Sequence, residues 1–369
     1  MIRAKPVVAR LIPVLDYGGV ESMFRMQADR IDRDRFNFRV VTFWKDGAAA
    51  EAIRNAGHPV DVLGVDPSIR SPAATRALWR YLRSLRPDIL HASVLEANLH
   101  AAITSKAAGV PVTILEEQGS PDRGLSGRLL HGAMYRAADA VVGVSKAACR
   151  ILVEREFAPA ERVHLLYNAA TREFFDPSPP RATSDSLRLL AVGRLEPEKN
   201  HEMLIRAFAP VAAAFPNARL RIAGTGSLRT MLDELVRELG LVSEVELLGY
   251  RSDIRDLLDG SDVFALPSRS EGFGIAAVEA MARGLPVVLS NAGGLPEIAD
   301  GYGAEWVVPS DDLGGWTAAL TRLADMSRSE HDQLGARARR AAFRFSEDEH
   351  IRSLQQLYGD LLARKRRTR

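Results

Sequence analysis

The chain has 369 residues, 46% of them hydrophobic and 26% charged, which is enough for two domains with full cores and too apolar for a disordered chain. The formal net charge is +2, but Arg364, Lys365, Arg366, Arg367 and Arg369 crowd the end, so the body carries −3 and is a poor match for a nucleic-acid backbone. A single cysteine, Cys149, excludes an internal disulfide and a thiolate metal site.

The opening "MIRAKPVVARLIPVLDYGG" reads as a first strand rather than a signal peptide, because Arg10 interrupts its apolar run. No apolar run reaches the roughly 18 residues that span a bilayer. A cytoplasmic protein, at most peripheral at the inner face of the membrane, is expected.

Short runs rich in Val, Ile and Leu then alternate with amphipathic segments. They are 6–15, 36–44, 59–65, 88–94, 112–119, 140–145 and 162–168. Between the third and fourth lies "TRALWRYLRSLRPD" (75–88), with Leu78, Leu82 and Leu85 on one helical face and Arg76, Arg80 and Arg83 on another. The Pro- and Ser-rich "DPSPPRATSDS" (176–186) has no periodicity and reads as a linker. Further apolar runs follow at 187–195, 218–226, 245–250, 262–268, 286–290 and 304–309, and two helical segments, about 330–345 and 348–365, close the chain. Near-continuous apolar strands separated by helices predict parallel sheets covered on both faces, an α/β fold. The expected division is a first domain over 1–170, a linker over 171–186, a second domain over 187–345 and a C-terminal segment over 346–369.

In such folds ligands bind at the loops beyond the carboxyl ends of the strands. After the first strand, "YGGVES" (17–22) lets backbone approach a ligand at Gly18 and Gly19, or makes a plain strand-to-helix turn. "DRD" (32–34) has metal-ligand spacing but sits in a charged connection. None of the eight histidines forms an H-x-H or H-x-x-x-H pair, so no metal is implied. In "AVGRLEPEKN" (191–200), Arg194 and Lys199 could neutralise a diphosphate, or could simply pair with Glu196 and Glu198. "GTGSLR" (224–229) starts like a dinucleotide fingerprint, but Arg229 replaces its third glycine. "SEGFGIAAVEAMARGLPVV" (270–288) places Glu271 before a glycine turn and Glu279 inside an apolar helix starting near Gly274. A buried carboxylate needs partners, and the hydroxyls of a ligand such as ribose would serve. The competing reading is a structural carboxylate bonded to an arginine or to backbone.

Taken together, "EGFGIAAVEAMARGLPVV", "VGRLEPEKN" and "GGVES" resemble the retaining glycosyltransferases of family 4. The resemblance runs over essentially the whole chain, including "LGYRSDIRDLLDGSDVFALPS" and "SNAGGLPEIADG". It implies the GT-B fold, two Rossmann-like doubly wound parallel-sheet domains facing across a cleft, with a final helix crossing back onto the first domain. It implies a hexosyltransferase with no cofactor, using a nucleotide-diphosphate sugar of UDP or GDP type and a glycan or lipid-linked acceptor. Glu279 would hold the ribose and Glu271 the transferred sugar. Arg194 and Lys199 would hold the diphosphate, approached by Gly18 and Gly19. The N–H groups of Phe273, Gly274 and Ile275 would complete the phosphate cradle, and the base would lie near Tyr250 and Arg251.

Some positions depart from the family pattern. Gln118 stands where a histidine is expected, with His91 as a substitute sugar contact or a structural histidine. Asn168-Ala169-Ala170-Thr171 replaces an Asn-Gly-hydrophobic-Asp stretch. Ser145 and Lys146 resemble a recurrent Ser-Lys, with Ser145 a candidate sugar or acceptor contact, but Ser145 also suits a helix N-cap. A nucleotide-sugar 2-epimerase of the same fold, or a non-catalytic nucleotide-sugar or glycan-binding module, are the alternative functions. The basic tail is expected to be drawn weakly to anionic membranes, or to be solvated and disordered.

Overall fold

The computed structural model describes residues 5–15, 18–44, 47–119, 124–177 and 187–367, with Ala48 described by its backbone alone. Most of the sequence-predicted linker lies outside these residues. The chain divides into two units, Met1–Asn168 with Glu347–Arg369, and Ala169–Ser346.

The first unit holds a seven-stranded sheet of β1 (Val7–Ile12), β2 (Asn37–Thr42), β3 (Val60–Val62), β4 (Ile89–Ser93), β5 (Val112–Glu117), β6 (Ala140–Gly143) and β7 (Val163–Leu165), in the order β3-β2-β1-β4-β5-β6-β7. The second unit holds a six-stranded sheet of β8 (Arg188–Val192), β9 (Arg219–Ala223), β10 (Val245–Gly249), β11 (Val263–Leu266), β12 (Val287–Ser290) and β13 (Val307–Val308), in the order β10-β9-β8-β11-β12-β13. All described pairings in both sheets are parallel. Each apolar run of the sequence contains one of these strands. The strands are shorter than the runs, because the runs carry on into the loops that bend away from the strand ends, as at Gly119 and Gly193. The last run keeps only Val307–Val308, since Ala304–Trp306 winds into a 3-10 turn. No helix among the described residues is long and apolar enough to cross a membrane.

The final helix, Glu347–Arg367, belongs to the first unit. Ile351, Leu354, Tyr358, Leu361 and Leu362 recur at helical spacing and are buried, and four of them join Val8, Phe24, Phe36 and Ile114 in one core cluster. Arg30 pairs with Glu347 at 3.1 Å and Asp348 at 2.6 Å, and Lys365 Nζ lies 2.6 Å from Asp139. The basic tail is therefore helical through Arg367 rather than disordered, and Lys365 is engaged.

Beneath this helix is a buried polar network that the apolar run of β1 conceals. Arg10, fully buried, donates to Glu116 at 2.5 Å, Ser93 Oγ at 2.7 Å and Gln27 Oε1 at 2.9 Å. Tyr358 lies 2.9 Å from His91 Nδ1, while His91 Nε2 is 2.9 Å from Glu116. His350 donates from Nδ1 to the Tyr167 carbonyl at 2.6 Å, leaving Nε2 to meet the Gln27 amide at 3.0 Å. His91 is thus a core histidine tied to the returning helix. Gln118 is occupied too, donating to Glu116 and accepting from Asn168 at 3.0 Å.

Burial, then Arg10, drives the His91 pKa down to about 4, and burial drives His350 down to about 4. Burial opposes ionisation of Glu116, but Arg10 first, then His91 and His350, hold it down to about 2. All three shifts have the same sign, because the unfolded chain binds the protons first. Their stabilisation is full above about pH 6.5 and is lost as the histidines charge in the unfolded state, then further as pH falls from about 4.5 toward 2. The melting temperature of the first unit should be level from about pH 8 to 7 and fall steadily below about 6.5. His350→Gln should flatten the upper part of that fall. Scanning calorimetry showing no change between about pH 7 and 5 would refute the coupling.

Candidate functional site

The strand order of the second unit reverses between β8 and β11, so the connections that leave these neighbours go to opposite faces of the sheet. The loops 193–200 and 267–274 leave their carboxyl ends, the place where sheets wound in this way bind ligands. These are the two segments that carry the charged motifs of the sequence.

Backbone fixes the first loop. Gly193 N–H bonds the Ala223 carbonyl at 3.0 Å, Leu195 N–H the Thr225 carbonyl at 2.8 Å, and Leu228 N–H the Leu195 carbonyl at 2.9 Å. A Cβ at Gly224 would stand 1.9 Å from the Gly193 carbonyl oxygen, and one at Gly226 2.4 Å from that of Leu195. The G-x-G of "GTGSLR" is therefore needed for loop-on-loop packing, which accounts for it without a dinucleotide. Glu196 joins the same contact, accepting from Ser227 N–H at 2.9 Å and Ser227 Oγ at 2.6 Å, and these bonds hold its carboxyl below the usual range.

That leaves two cations in different settings. Arg194 is 71% exposed and pairs with Glu198 at 2.5 Å, an arrangement that solvent competes with freely. Lys199 turns inward, and its ammonium lies 2.6 Å from Glu271, with both side chains largely covered. Ser268 Oγ donates to the same carboxylate oxygen at 3.3 Å. Asn200 follows in the left-handed region at φ 56°, which asparagine tolerates, and its amide reaches the Pro267 carbonyl at 3.2 Å and the Ser310 carbonyl at 2.8 Å. Arg269 N–H bonds the Glu198 carbonyl at 2.8 Å. Sequence reasoning gave Asn200 no role, although an asparagine ending a strand loop is the available signal for a left-handed turn.

The second loop ends at Gly274, φ 106°, immediately before the helix Ile275–Ala282. A Cβ there would lie 2.5 Å from Leu295 Cδ2, so space and backbone both require glycine. No side chain caps this helix, and Phe273 anchors its entry edge-to-face on Phe345 with ring centroids 5.3 Å apart. Gly293, φ 52°, presses on the other side, where its Cβ would be 1.6 Å from the Glu271 carbonyl oxygen. Gly293 was visible in the sequence only as part of "SNAGGLPEIADG"; its contact with Glu271 is a tertiary fact.

Glu279 is half-buried on this helix, and its side chain has no hydrogen-bond or ion-pair partner among the described residues. Burial, then the nearby Glu173, push its pKa up to about 7. Among the described residues there is no arginine or backbone partner, the alternative considered from sequence.

The remaining sequence-predicted residues fall as follows. Tyr250 is 59% exposed just past β10, and the next residue, Arg251, is paired with Asp253. In the first unit, Gly18 and Gly19 start the uncapped helix Gly19–Arg30; the preceding Asp16 and Tyr17 lie outside the described residues. Ser145 is buried and accepts from Ala148 N–H at 3.0 Å as a helix N-cap, and His91 and Gln118 belong to the core network, so geometry gives all three structural work. Asp32 caps a turn by accepting from Asp34 N–H at 2.8 Å, and Asp34 pairs with Lys5 at 3.2 Å, which explains the D-x-D spacing without a metal.

Two family models match the chain, Glycosyl transferases group 1 over residues 174–341 and Glycosyl transferase 4-like domain over residues 18–169. The D-inositol 3-phosphate glycosyltransferase of Corynebacterium kroppenstedtii is 32% identical over 256 residues, which are 64% of this chain and 56% of that protein. The chain spans about half the length of the first curated relatives it matches. A glycosyltransferase from Rickettsia africae has the same fold with a TM-score of 0.84 at 17% identity, covering 98% of this chain and 99% of its own. So does HepE of Anabaena, solved with UDP and glucose, with a TM-score of 0.80 at 22% identity, covering 95% of this chain and 99% of its own.

Because Lys199 and Glu271 come from different loops and meet under cover, they should behave as one unit. A double-mutant cycle with Lys199→Met and Glu271→Gln, read by urea denaturation, should give a coupling energy of about 1–3 kcal/mol. A coupling under about 0.5 kcal/mol would show that the pair does not hold the loops together.

Proposed function

Since the chain belongs to the family 4-like GT-B glycosyltransferases, we propose that it is a retaining hexosyltransferase, moving a sugar from a nucleotide-diphosphate sugar to a glycan or lipid-linked acceptor without a divalent metal. One observation carries this reading. At the carboxyl ends of β8 and β11 the two strand loops bring Lys199 against Glu271, while Glu279, without a side-chain partner among the described residues, stands on the helix that begins where the second loop ends.

The chemistry follows from where charge grows. The bond from the anomeric carbon to the diphosphate oxygen breaks as an acceptor hydroxyl bonds that carbon from the same face and gives its proton to the departing phosphate oxygen, so negative charge develops on the leaving diphosphate before the proton arrives. Lys199, Arg194 and the uncapped N-terminus of the helix Ile275–Ala282 stabilise it, the part a divalent ion would otherwise play. Glu279 accepts from the ribose hydroxyls, which satisfies its unpaired carboxylate. Glu271 binds the hydroxyls of the sugar after giving up Lys199 to the phosphate. Tyr250 and Arg251 flank the base. UDP is the first nucleotide to try, because HepE of Anabaena was solved with it.

The roles separate in binding and rate. Glu279→Gln should weaken nucleoside diphosphate binding by roughly ten- to a hundredfold, the worth of a charged hydrogen bond, whereas Glu271→Gln should leave it nearly unchanged and lower turnover. Since the carboxylate form of Glu279 is the acceptor, affinity should rise as pH increases through about 7. That dependence should vanish in Glu279→Gln and move to lower pH in Glu173→Gln. Calorimetric titration with UDP and GDP measures all of this; parent-like affinity in Glu279→Gln would make it a core carboxylate instead.

Turnover should survive excess EDTA, and NMR of the product should show the donor's anomeric configuration. Loss of activity restored only by magnesium or manganese, or an inverted product, would overturn the mechanism.

A further inference from the structure

The helix Pro72–Leu85 in the first unit buries Ala74, Leu78 and Leu82 and contains no acidic residue. Outward it shows Pro72, Arg76, Trp79 and Arg83, spaced four, three and four apart and so on one stripe, with Arg80 beside it. Trp79 is 40% exposed, and Ile69 and Ile103, at 45% and 55%, line with it a groove of about 580 Å³. Arg70, Arg76, Arg80 and Arg83 have no ion-pair partner among the described residues. The nearby Asp66 is already taken up by the Ser68 N–H at 2.9 Å.

Exposed apolar side chains gathered in one place mark an interaction surface. Here they are ringed by unpaired arginines, which fixes the chemistry of the partner as an anionic headgroup layer over an apolar interior. Trp79 would sit at the headgroup level, Ile69 and Ile103 would dip below it, and the arginines would reach up to the phosphates on their own aliphatic stems. We propose that this helix and the groove beside it are the surface by which the chain rests on an anionic lipid bilayer. A nucleic acid is the weaker match, since one indole among aliphatic side chains makes no stacking platform. The other basic cluster, Arg364, Arg366 and Arg367, is charge alone, because the apolar side chains of that helix, Leu361 and Leu362, are buried. The inference does not depend on the transferase reading, and its test contains no turnover.

The test is cosedimentation of the full chain with vesicles of equal parts phosphatidylglycerol and phosphatidylcholine at low salt, against vesicles of phosphatidylcholine alone. The parent should bind the first and not the second. The triple variant Arg76→Gln, Arg80→Gln, Arg83→Gln should lose roughly tenfold or more in partitioning, and Trp79→Ser several-fold. The triple tail variant Arg364→Gln, Arg366→Gln, Arg367→Gln should stay within about twofold of the parent. Brominated acyl chains should quench parent fluorescence more than that of Trp79→Phe. All substituted side chains are exposed, so circular dichroism melts should match the parent. Three outcomes overturn the proposal. One is no binding to the anionic vesicles, and another is loss in the tail variant with retention in the helix variant. The third is binding that heparin abolishes and that Trp79→Ser leaves untouched, which would mark a polyanion site.

Discussion

A parallel sheet that begins in its middle must reverse its direction of growth once, and everything at the candidate site depends on that reversal. In the second unit it falls between β8 and β11. Right-handed crossovers then force the chain to leave these two strands on opposite faces of the sheet. The charged motifs stand on the two loops that follow them. The sequence distance between Lys199 and Glu271 is cancelled by one adjacency in the sheet.

Such a site is useful only if its rim is stiff, and the glycines explain how stiffness is reached without side chains. Gly224 and Gly226 let the loop after β9 lie directly on the loop after β8, and Gly293 lets the loop after β12 lie directly on Glu271. Backbone locks to backbone on both flanks. The exception is instructive: Lys199 and Glu271, the two ionised groups most enclosed by the rim, neutralise each other. An enclosed charge without a partner would be costly, and each of these two supplies the other's. Glu279 takes the other route and lowers its charge by a raised pKa.

The alternation of apolar runs with amphipathic segments was enough to place the strands, because a strand covered on both faces leaves a period-free apolar signature. The glutamates and cations of the second unit were legible for a different reason, since loop and helix start are local. What could not be read was the fate of residues whose partners lie far away in sequence. His91 looks the same at a strand end whether it meets a sugar or a core, and its hydroxyl partner, Tyr358, lies 267 positions on. Arg10 looked like an interruption of an apolar run and is instead the centre of a buried network. Gln118 looked like a replaced histidine and is a bridge between Glu116 and Asn168. The glycines of "GTGSLR" carried a pattern that several backbones could use, and only the position of Gly193 and Leu195 decides among them.

The returning helix has a consequence for how the chain is made. Ala170 and Ser346 are paired in a parallel bridge, and Ala170 N–H bonds the Phe345 carbonyl at 3.1 Å, so the second unit enters and leaves at one point. It is in effect a domain inserted into the first. A ribosome delivers Leu354, Tyr358 and Leu361 only after the whole insert has emerged, and until then the seat formed by Val8, Phe24 and Phe36, with the Arg10–Glu116 pair above it, stays open to water. The unit that begins first is thereby the unit that finishes last, and a frameshift or proteolytic cut near the carboxyl end damages the amino-terminal half.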